Sequence, residues 1–124
     1  MSSKTIQTFT VFNDLMSLNE YRNTNYHYLN KVKKEWAKVI KLAVLVNRIL
    51  PINNCNIIFM FHFADKRRRD PDNYSATIKF IMDALVSSGI LEDDNFNYVE
   101  SITIKRGAIQ NESVTIQIEG DVIG

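Results

Sequence analysis

Apolar residues recur along this chain with two different periods, and the order in which those periods alternate most constrains the fold. Thr5–Phe12 is β-branched and aromatic, which predicts a strand. Residues 13–25 are polar and predict a loop. Between Tyr28 and Val46 apolar residues recur at spacings of three and four, which predicts a helix, and Pro51 cannot continue it.

The second half of the chain repeats this alternation. Residues 57–64 are apolar on both alternating sets except at His62, which predicts a strand covered on both faces, and Asn53 and Asn54 before it fit a turn. Residues 74–85 carry a second helical stripe, which Gly89 should end with a left-handed cap. The tail, residues 99–118, predicts a β-hairpin with turn residues at 107–111.

The predicted order is therefore β-α-β-α-β-β, within one compact α/β (α+β) domain over residues 1–124. We expect a mixed sheet of about four strands and two main helices. The chain has 124 residues, 45% of them hydrophobic, which suits a single domain with its own core. No run of 18 apolar residues occurs, so we expect no membrane-spanning helix. Cys55 is the only cysteine, and the first five residues lack the apolar core of a signal peptide, so we expect a cytoplasmic protein.

Charge is divided unevenly along the sequence. Residues 1–69 hold 12 Lys and Arg against 4 Asp and Glu, whereas residues 70–124 hold 3 against 10. Such a division can mean two solvated faces. It also suits a protein that binds a polyanion through one region and divalent cations through another.

Two carboxylates, Asp70 and Asp72, stand two residues apart around Pro71. Proline favours an extended conformation at Asp70, and in an extended chain residues i and i+2 point to the same side. Two adjacent like charges are unfavourable unless a cation or proton lies between them, and Mg²⁺ prefers such oxygen ligands. A further acidic pair, Asp93-Asp94, follows the second predicted helix and could fold back towards them.

Positive charge surrounds this acidic region. Lys79 is the only cation between Asp70 and Lys105, and a lone ammonium among carboxylates can partner a phosphate oxygen. Asp83 stands four residues later on the same helical face. Two groups of cations suit sequence-independent contacts to phosphates. The group directly upstream of Asp70 is Lys66, Arg67, Arg68 and Arg69, and the group on the first predicted helix is Lys31, Lys34 and Lys38.

Each of these features also has a structural interpretation. Asp72 or Asn73 could cap the second helix, and the Lys79–Asp83 pair could be an exposed ion pair of little consequence. His62 suits a hydrogen-bonded core position, and Trp36 suits the core. No phosphate-binding glycine loop, dinucleotide fingerprint or H-E-x-x-H motif is present, so we expect no small-molecule cofactor.

The run K-R-R-R-D-P-D-N, then K-x-x-x-D-A-L, then G-I-L-x-D-D, resembles the RusA family of Holliday-junction resolvases over residues 66–94. These are small bacterial, prophage and phage endonucleases. The spacer before K-x-x-x-D-A-L is longer here than in the family pattern by about three residues, nearly one helical turn. The family's N-terminal loop with proline and asparagine has its nearest counterpart in Ser17-Leu18-Asn19.

The resemblance implies a RusA-like fold and a homodimer that cuts four-way DNA junctions with Mg²⁺ or Mn²⁺. It implies that Asp70, Asp72 and Asp94 are catalytic metal ligands and that Lys79 is the catalytic lysine, with Asn73, Asp83 and Asp93 as secondary candidates. The expected reaction is metal-assisted phosphodiester hydrolysis with paired symmetric nicks. Two alternatives stay open, a non-catalytic DNA-binding or accessory protein and a nuclease of forks, flaps or other branched DNA.

Overall fold

A computed structural model describes residues 4–123, and Met1, Ser2, Ser3 and Gly124 lie outside the described residues. The predicted absence of a signal peptide rests on residues 1–5, most of which lie outside the described residues. Within the described residues, four strands, three α-helices and one 3-10 helix follow one another: β1 (Thr5–Val11), α1 (Leu18–Asn23), α2 (Tyr26–Val46), β2 (Ile52–His62), the 3-10 helix (Pro71–Tyr74), α3 (Ser75–Ser87), β3 (Val99–Arg106) and β4 (Ser113–Val122).

The four strands form one mixed sheet in the order β1-β4-β2-β3. β4 is antiparallel to both β1 and β2, whereas β2 and β3 are parallel. The α+β class, the order of the main elements and the four-stranded mixed sheet are thus confirmed. No helix among residues 4–123 is long and apolar enough to cross a membrane.

One face of the sheet carries the core. Alternate residues of β2 and β4 are buried, and the register places Phe59 opposite Ile116 and Ile57 opposite Ile118 on that face. Trp36, with no exposed surface, comes from the apolar stripe of α2 and belongs to the same cluster. The opposite set on β2, which includes Ile58 and Met60, is only half-buried. The prediction that this strand is covered on both faces was therefore wrong.

The predicted hairpin of the last two strands was also wrong. β3 and β4 are not neighbours, because β2 lies between them. The connecting segment instead crosses the end of β2, where Gly107 N donates to Phe61 O and Gln110 N donates to Phe63 O. An alternating apolar strand such as β4 satisfies its backbone equally well beside either neighbour, so local pattern alone does not fix strand order.

Local signals explain the other differences. Leu18–Asn23 fold into α1 rather than a loop, since the N-cap residue Ser17 and Glu20 form a reciprocal capping box. β2 begins at Ile52, and the predicted turn at Asn53 and Asn54 is a register shift within the strand, with Asn54 at φ 51°. Gly89 has φ 82° after α3, which confirms the left-handed cap.

His62 is a hydrogen-bonded core residue, as expected. Its Nδ1 lies 2.9 Å from Ala108 O, and its Nε2 lies 2.8 Å from Thr115 Oγ1. Gly107 packs so closely on the ring that a Cβ there would come within 2.3 Å of Cε1. The glycine is therefore required by space rather than by backbone conformation.

We expect Gly107→Ala to lower the free energy of unfolding by about 1–3 kcal/mol, because the ring must move and break its hydrogen bonds. Urea unfolding followed by circular dichroism measures this. In a His62→Ala background the same change should cost clearly less, since the clashing ring is gone. Equal costs in both backgrounds would contradict the steric account.

Cys55 is a buried free thiol, and burial raises its pKa above the ordinary value. The folded state thus holds the thiol proton more tightly than the unfolded state, whose thiol ionises at about pH 8.5. The stability associated with the neutral thiol is present below that pH and is lost as pH rises above it.

We therefore expect wild type to lose more stability than Cys55→Ala between about pH 8 and pH 10. Denaturant unfolding of both proteins across this range measures the difference. Tyrosines and lysines also titrate there, so the test is the wild-type minus variant difference and not the wild-type slope. If the wild-type minus variant difference in the free energy of unfolding stays constant with pH, the thiol does not contribute to the pH dependence of stability.

Candidate nucleic-acid and metal site

The basic run upstream of Asp70 forms a turn around Asp65. The carboxylate of Asp65 accepts hydrogen bonds from Arg67 N at 3.0 Å and from Arg69 Nη1 at 2.8 Å. The hydrogen bond from Arg69 is the main reason that the pKa of Asp65 is lowered. Arg69 is only 14% exposed, and its guanidinium lies 4.1 Å over the ring of Phe63. The turn thus holds one of the four cations in place.

The other three cations of the run point to solvent. Lys66, Arg67 and Arg68 are exposed, and Arg68 Nε lies 3.6 Å from Asp70 Oδ1. On α2 the predicted DNA-binding residues Lys31, Lys34 and Lys38 are also exposed. Their spacing of three and four residues gives them one helical face, which is the arrangement that contacts to a polyanion need.

Asp70 and Asp72 line one cavity, although their backbones differ. Asp70 is extended at φ −95°, ψ 130° before Pro71, as the sequence predicts. Asp72 lies inside the 3-10 helix, so the extended i, i+2 geometry does not apply to the pair. The cavity they share, of about 410 Å³, is here called the acidic cavity, and its other lining residues are Leu18, Asn19, Arg22 and Asn73.

α1 supplies the opposite wall of the acidic cavity. The loop before this helix is fixed by Thr77, a fully buried residue of α3 whose Oγ1 donates to Met16 O at 2.8 Å. Arg22, in the last turn of α1, is thereby placed in the same cavity as the two carboxylates. Sequence reasoning missed Arg22, and the Ser17–Glu20 capping box was the signal that could have placed a helix there.

A second pocket adjoins the acidic cavity and shares Asp70 with it. Aromatic and basic side chains line this aromatic–basic pocket: Phe61, Phe63, Tyr74, Arg69, Lys105 and Arg106, with Asp70, Pro71 and Ile104. Arg106 Nη2 donates to Asp65 O at 2.8 Å, so the two arginines are anchored on one turn. Lys105 and Arg106 were also missed, because the end of β3 reaches this turn only through the parallel β2–β3 pairing.

Tyr74 forms the aromatic wall between these cations and the core. Its ring lies 5.4 Å from that of Phe61 and 5.3 Å from that of Phe63. Burial raises the pKa of its phenol despite the opposing effect of Arg69. The phenol therefore stays neutral at physiological pH, and the pocket keeps the positive charge of its guanidiniums.

Lys79 and Asp94 lie in a different place. Both line a groove of about 450 Å³ between α3 and β3, here called the apolar groove, with Ile78, Met82, Phe96 and Ile102 among its other walls. Lys79 Nζ also lies 3.5 Å from Asp83 Oδ1, and Lys33 Nζ lies 3.9 Å from Asp83 Oδ2. Asp93 is exposed and accepts from Asp94 N.

The structure thus brings Asp70, Asp72 and Asn73 together but not Asp94, which lines neither the acidic cavity nor the aromatic–basic pocket. Among residues 4–123 no group of three or more His, Cys, Asp or Glu side chains is close enough to hold a metal ion. Mg²⁺ is commonly held by one or two carboxylates with water and substrate phosphates. The carboxylates of Asp70 and Asp72 fit that donor set.

No protein-family model matches this chain, and a search of curated proteins finds no match either.

Proposed function

We propose that this protein is a divalent-metal-dependent endodeoxyribonuclease of the RusA type that cuts four-way DNA junctions. One observation carries the proposal: Asp70 is a shared wall of the acidic cavity and of the aromatic–basic pocket. Carboxylates suited to a hard cation therefore adjoin cations suited to phosphates. Metal-assisted hydrolysis of a phosphodiester uses a bound cation to activate water and stabilise charge, and neighbouring cations can hold the phosphate beside it.

The metal ligands in this proposal are Asp70 and Asp72, with Asp94 as the third carboxylate that the sequence resemblance implies. Mg²⁺ or Mn²⁺, when bound, supplies an activated water and offsets charge at the scissile phosphate. Arg22 faces the same cavity and can donate to a phosphate oxygen there. Lys79 is the lysine that, by the resemblance, would offset negative charge in the transition state.

The remaining cations would orient the DNA. Arg69 and Arg106 are held by Asp65, so little side-chain entropy is lost when they bind a phosphate flanking the cut. The exposed cations at 66–68 and on α2 are further candidates for phosphate contacts, which would contribute affinity that depends on salt rather than on sequence. We further propose a homodimer that acts in the cytoplasm of a bacterial or phage-infected cell, since two-fold symmetry matches paired nicks in a four-way junction.

A second candidate is a non-catalytic DNA-binding protein that retains the basic surface. The observation that favours it is the separation of Asp94 and Lys79 from Asp70 and Asp72 in the described chain. Two carboxylates and an arginine that line one cavity can also be structural. Binding without cleavage would distinguish this candidate from the nuclease.

The test is a comparison of four labelled substrates, a four-way junction, a fork, a flap and a linear duplex, each with Mg²⁺ or Mn²⁺ and with EDTA. The proposal predicts metal-dependent paired nicks in the junction and little cutting of linear duplex. Preferential cutting of forks or flaps would support the broader nuclease. Junction binding with no cleavage under any metal would leave the non-catalytic candidate.

A further inference from the structure

The outward side of α2 changes from basic to apolar along its length. Its basic part consists of four exposed lysines that follow one another at spacings of three and four residues: Lys31, Lys34, Lys38 and Lys41. Its apolar part lies in the last turn and consists of three side chains that are 63–70% exposed: Leu42, Leu45 and Val46. Leu42 and Leu45 stand four residues after Lys38 and Lys41, so they continue the row of lysines on the same side of the helix. This surface is here called the outer α2 face.

The core of the protein does not account for the apolar part. α2 already buries one apolar stripe, which contains Val32, Trp36, Ile40 and Val44. A helix of a globular protein normally has one such stripe, with polar residues on the opposite side. Single exposed leucines are common, but adjacent exposed apolar side chains that are rimmed by polar residues are typical of an interaction site.

Contacts to DNA do not account for the apolar part either. Phosphates are bound by cations and hydrogen-bond donors, and Leu42 and Leu45 supply neither. The surrounding charge is entirely positive, since residues 36–50 contain Lys38, Lys41 and Arg48 but no Asp or Glu. Within residues 4–123 none of the four lysines forms an ion pair. The electrostatic complement of this face is therefore an acidic partner.

We propose that the outer α2 face binds an acidic segment of a partner protein that carries two or three large apolar residues at one end. From Lys31 to Val46 the face spans about 22 Å. An extended segment covers that distance in about seven residues. The carboxylates of the segment pair with the lysines, and its apolar end covers Leu42 and Leu45.

A lipid bilayer fits this face less well. A helix that lies on a bilayer presents apolar side chains along its length and keeps its cations on the opposite side. On the outer α2 face the order instead runs along the helix axis, with the cations first and the apolar side chains in the last turn. A linear segment with the same order matches this arrangement, whereas a uniform surface does not.

Two labelled peptides of identical composition test the proposal by fluorescence anisotropy. The block peptide is Glu-Asp-Glu-Asp-Glu-Leu-Trp-Leu, and the mixed peptide is Leu-Glu-Asp-Trp-Glu-Asp-Leu-Glu. We expect wild type to bind the block peptide at least about tenfold more tightly, because only that peptide matches the basic and the apolar part at once. The titration contains neither DNA nor metal, so its result does not depend on the proposed nuclease function.

Variants of the two parts separate their contributions. The Leu42→Ser, Leu45→Ser double variant should bind the block peptide at least about tenfold more weakly and the mixed peptide as wild type does. The control is Ile109→Ser, at a position that is 50% exposed in the loop between β3 and β4, and it should bind both peptides like wild type. Lys38→Gln, Lys41→Gln leaves the apolar part in place and should reduce the salt dependence of binding for both peptides.

Four results would overturn the proposal. The first is equal affinity of wild type for the two peptides, and the second is an affinity for the block peptide that the leucine double variant leaves unchanged. The third is no binding of the block peptide up to about 1 mM. The fourth is binding to phosphatidylserine vesicles that the leucine double variant abolishes, which would assign the apolar part to a membrane surface instead.

Discussion

Asp72→Asn should reduce junction cleavage by at least about a hundredfold, since even residues that only orient metal ligands cost 10–100-fold when replaced. The substitution removes the charge but keeps the size of the side chain. Asp72 is an exposed residue of the 3-10 helix and makes no side-chain hydrogen bond within the described chain, so folding should be unaffected. The measurement is the single-turnover cleavage rate with saturating Mg²⁺ or Mn²⁺.

A matched control is available for this variant. Asp14→Asn makes the same chemical change at an exposed aspartate that lines a separate cavity. It should cut at the wild-type rate and should bind the junction with unchanged affinity. Cleavage by Asp72→Asn at the wild-type rate would reject Asp72 as a metal ligand and remove the acidic cavity from the mechanism.

Arg69→Ala should weaken junction binding by about tenfold and reduce the slope of log affinity against log salt by about one. The guanidinium is 14% exposed, stacked on Phe63 and bonded to Asp65, so it is already positioned before DNA arrives. Arg68, which is 89% exposed, must be ordered on binding. Arg68→Ala should therefore lose less affinity for the same loss of charge.

Fluorescence anisotropy of a labelled junction between about 50 and 200 mM salt measures both quantities. Arg69→Lys separates charge from geometry, because it keeps the cation but loses the planar fork and the stacking. We expect it to restore the salt slope and only part of the affinity. A salt slope for Arg69→Ala equal to that of wild type would mean that this side chain supports the Asp65 turn without contacting phosphate.

Most of the fold could be predicted because its signals are local. The stripes of α2 and α3, the alternation of β4 and the cap at Gly89 each follow from neighbouring residues. The position of β4 between β1 and β2 could not be predicted in this way, because strand order depends on which strands compete to pair with the same edge of the sheet. The half-exposed face of β2 has the same origin, since periodicity reports how apolar a strand is and not what covers it.

The candidate site divides in the same way. The extended backbone at Asp70 follows from Pro71 alone. Arg22 and Arg106 come to Asp70 from distant segments, through the packing of α1 and the pairing of β3, and no spacing in the sequence encodes either. The convergence of Asp94 on the same ion stays a prediction, and in the described chain Asp94 lines the apolar groove instead.

The central claim is that Asp70 and Asp72 together bind a divalent cation beside a phosphate-binding surface. Titration of Mn²⁺ into the protein, followed by the electron paramagnetic resonance signal of the free ion, tests it without requiring catalysis. We predict a stoichiometric site in wild type and in Asp14→Asn that is lost in the Asp70→Asn, Asp72→Asn double variant. Mn²⁺ binding by the double variant equal to that of wild type would contradict the account.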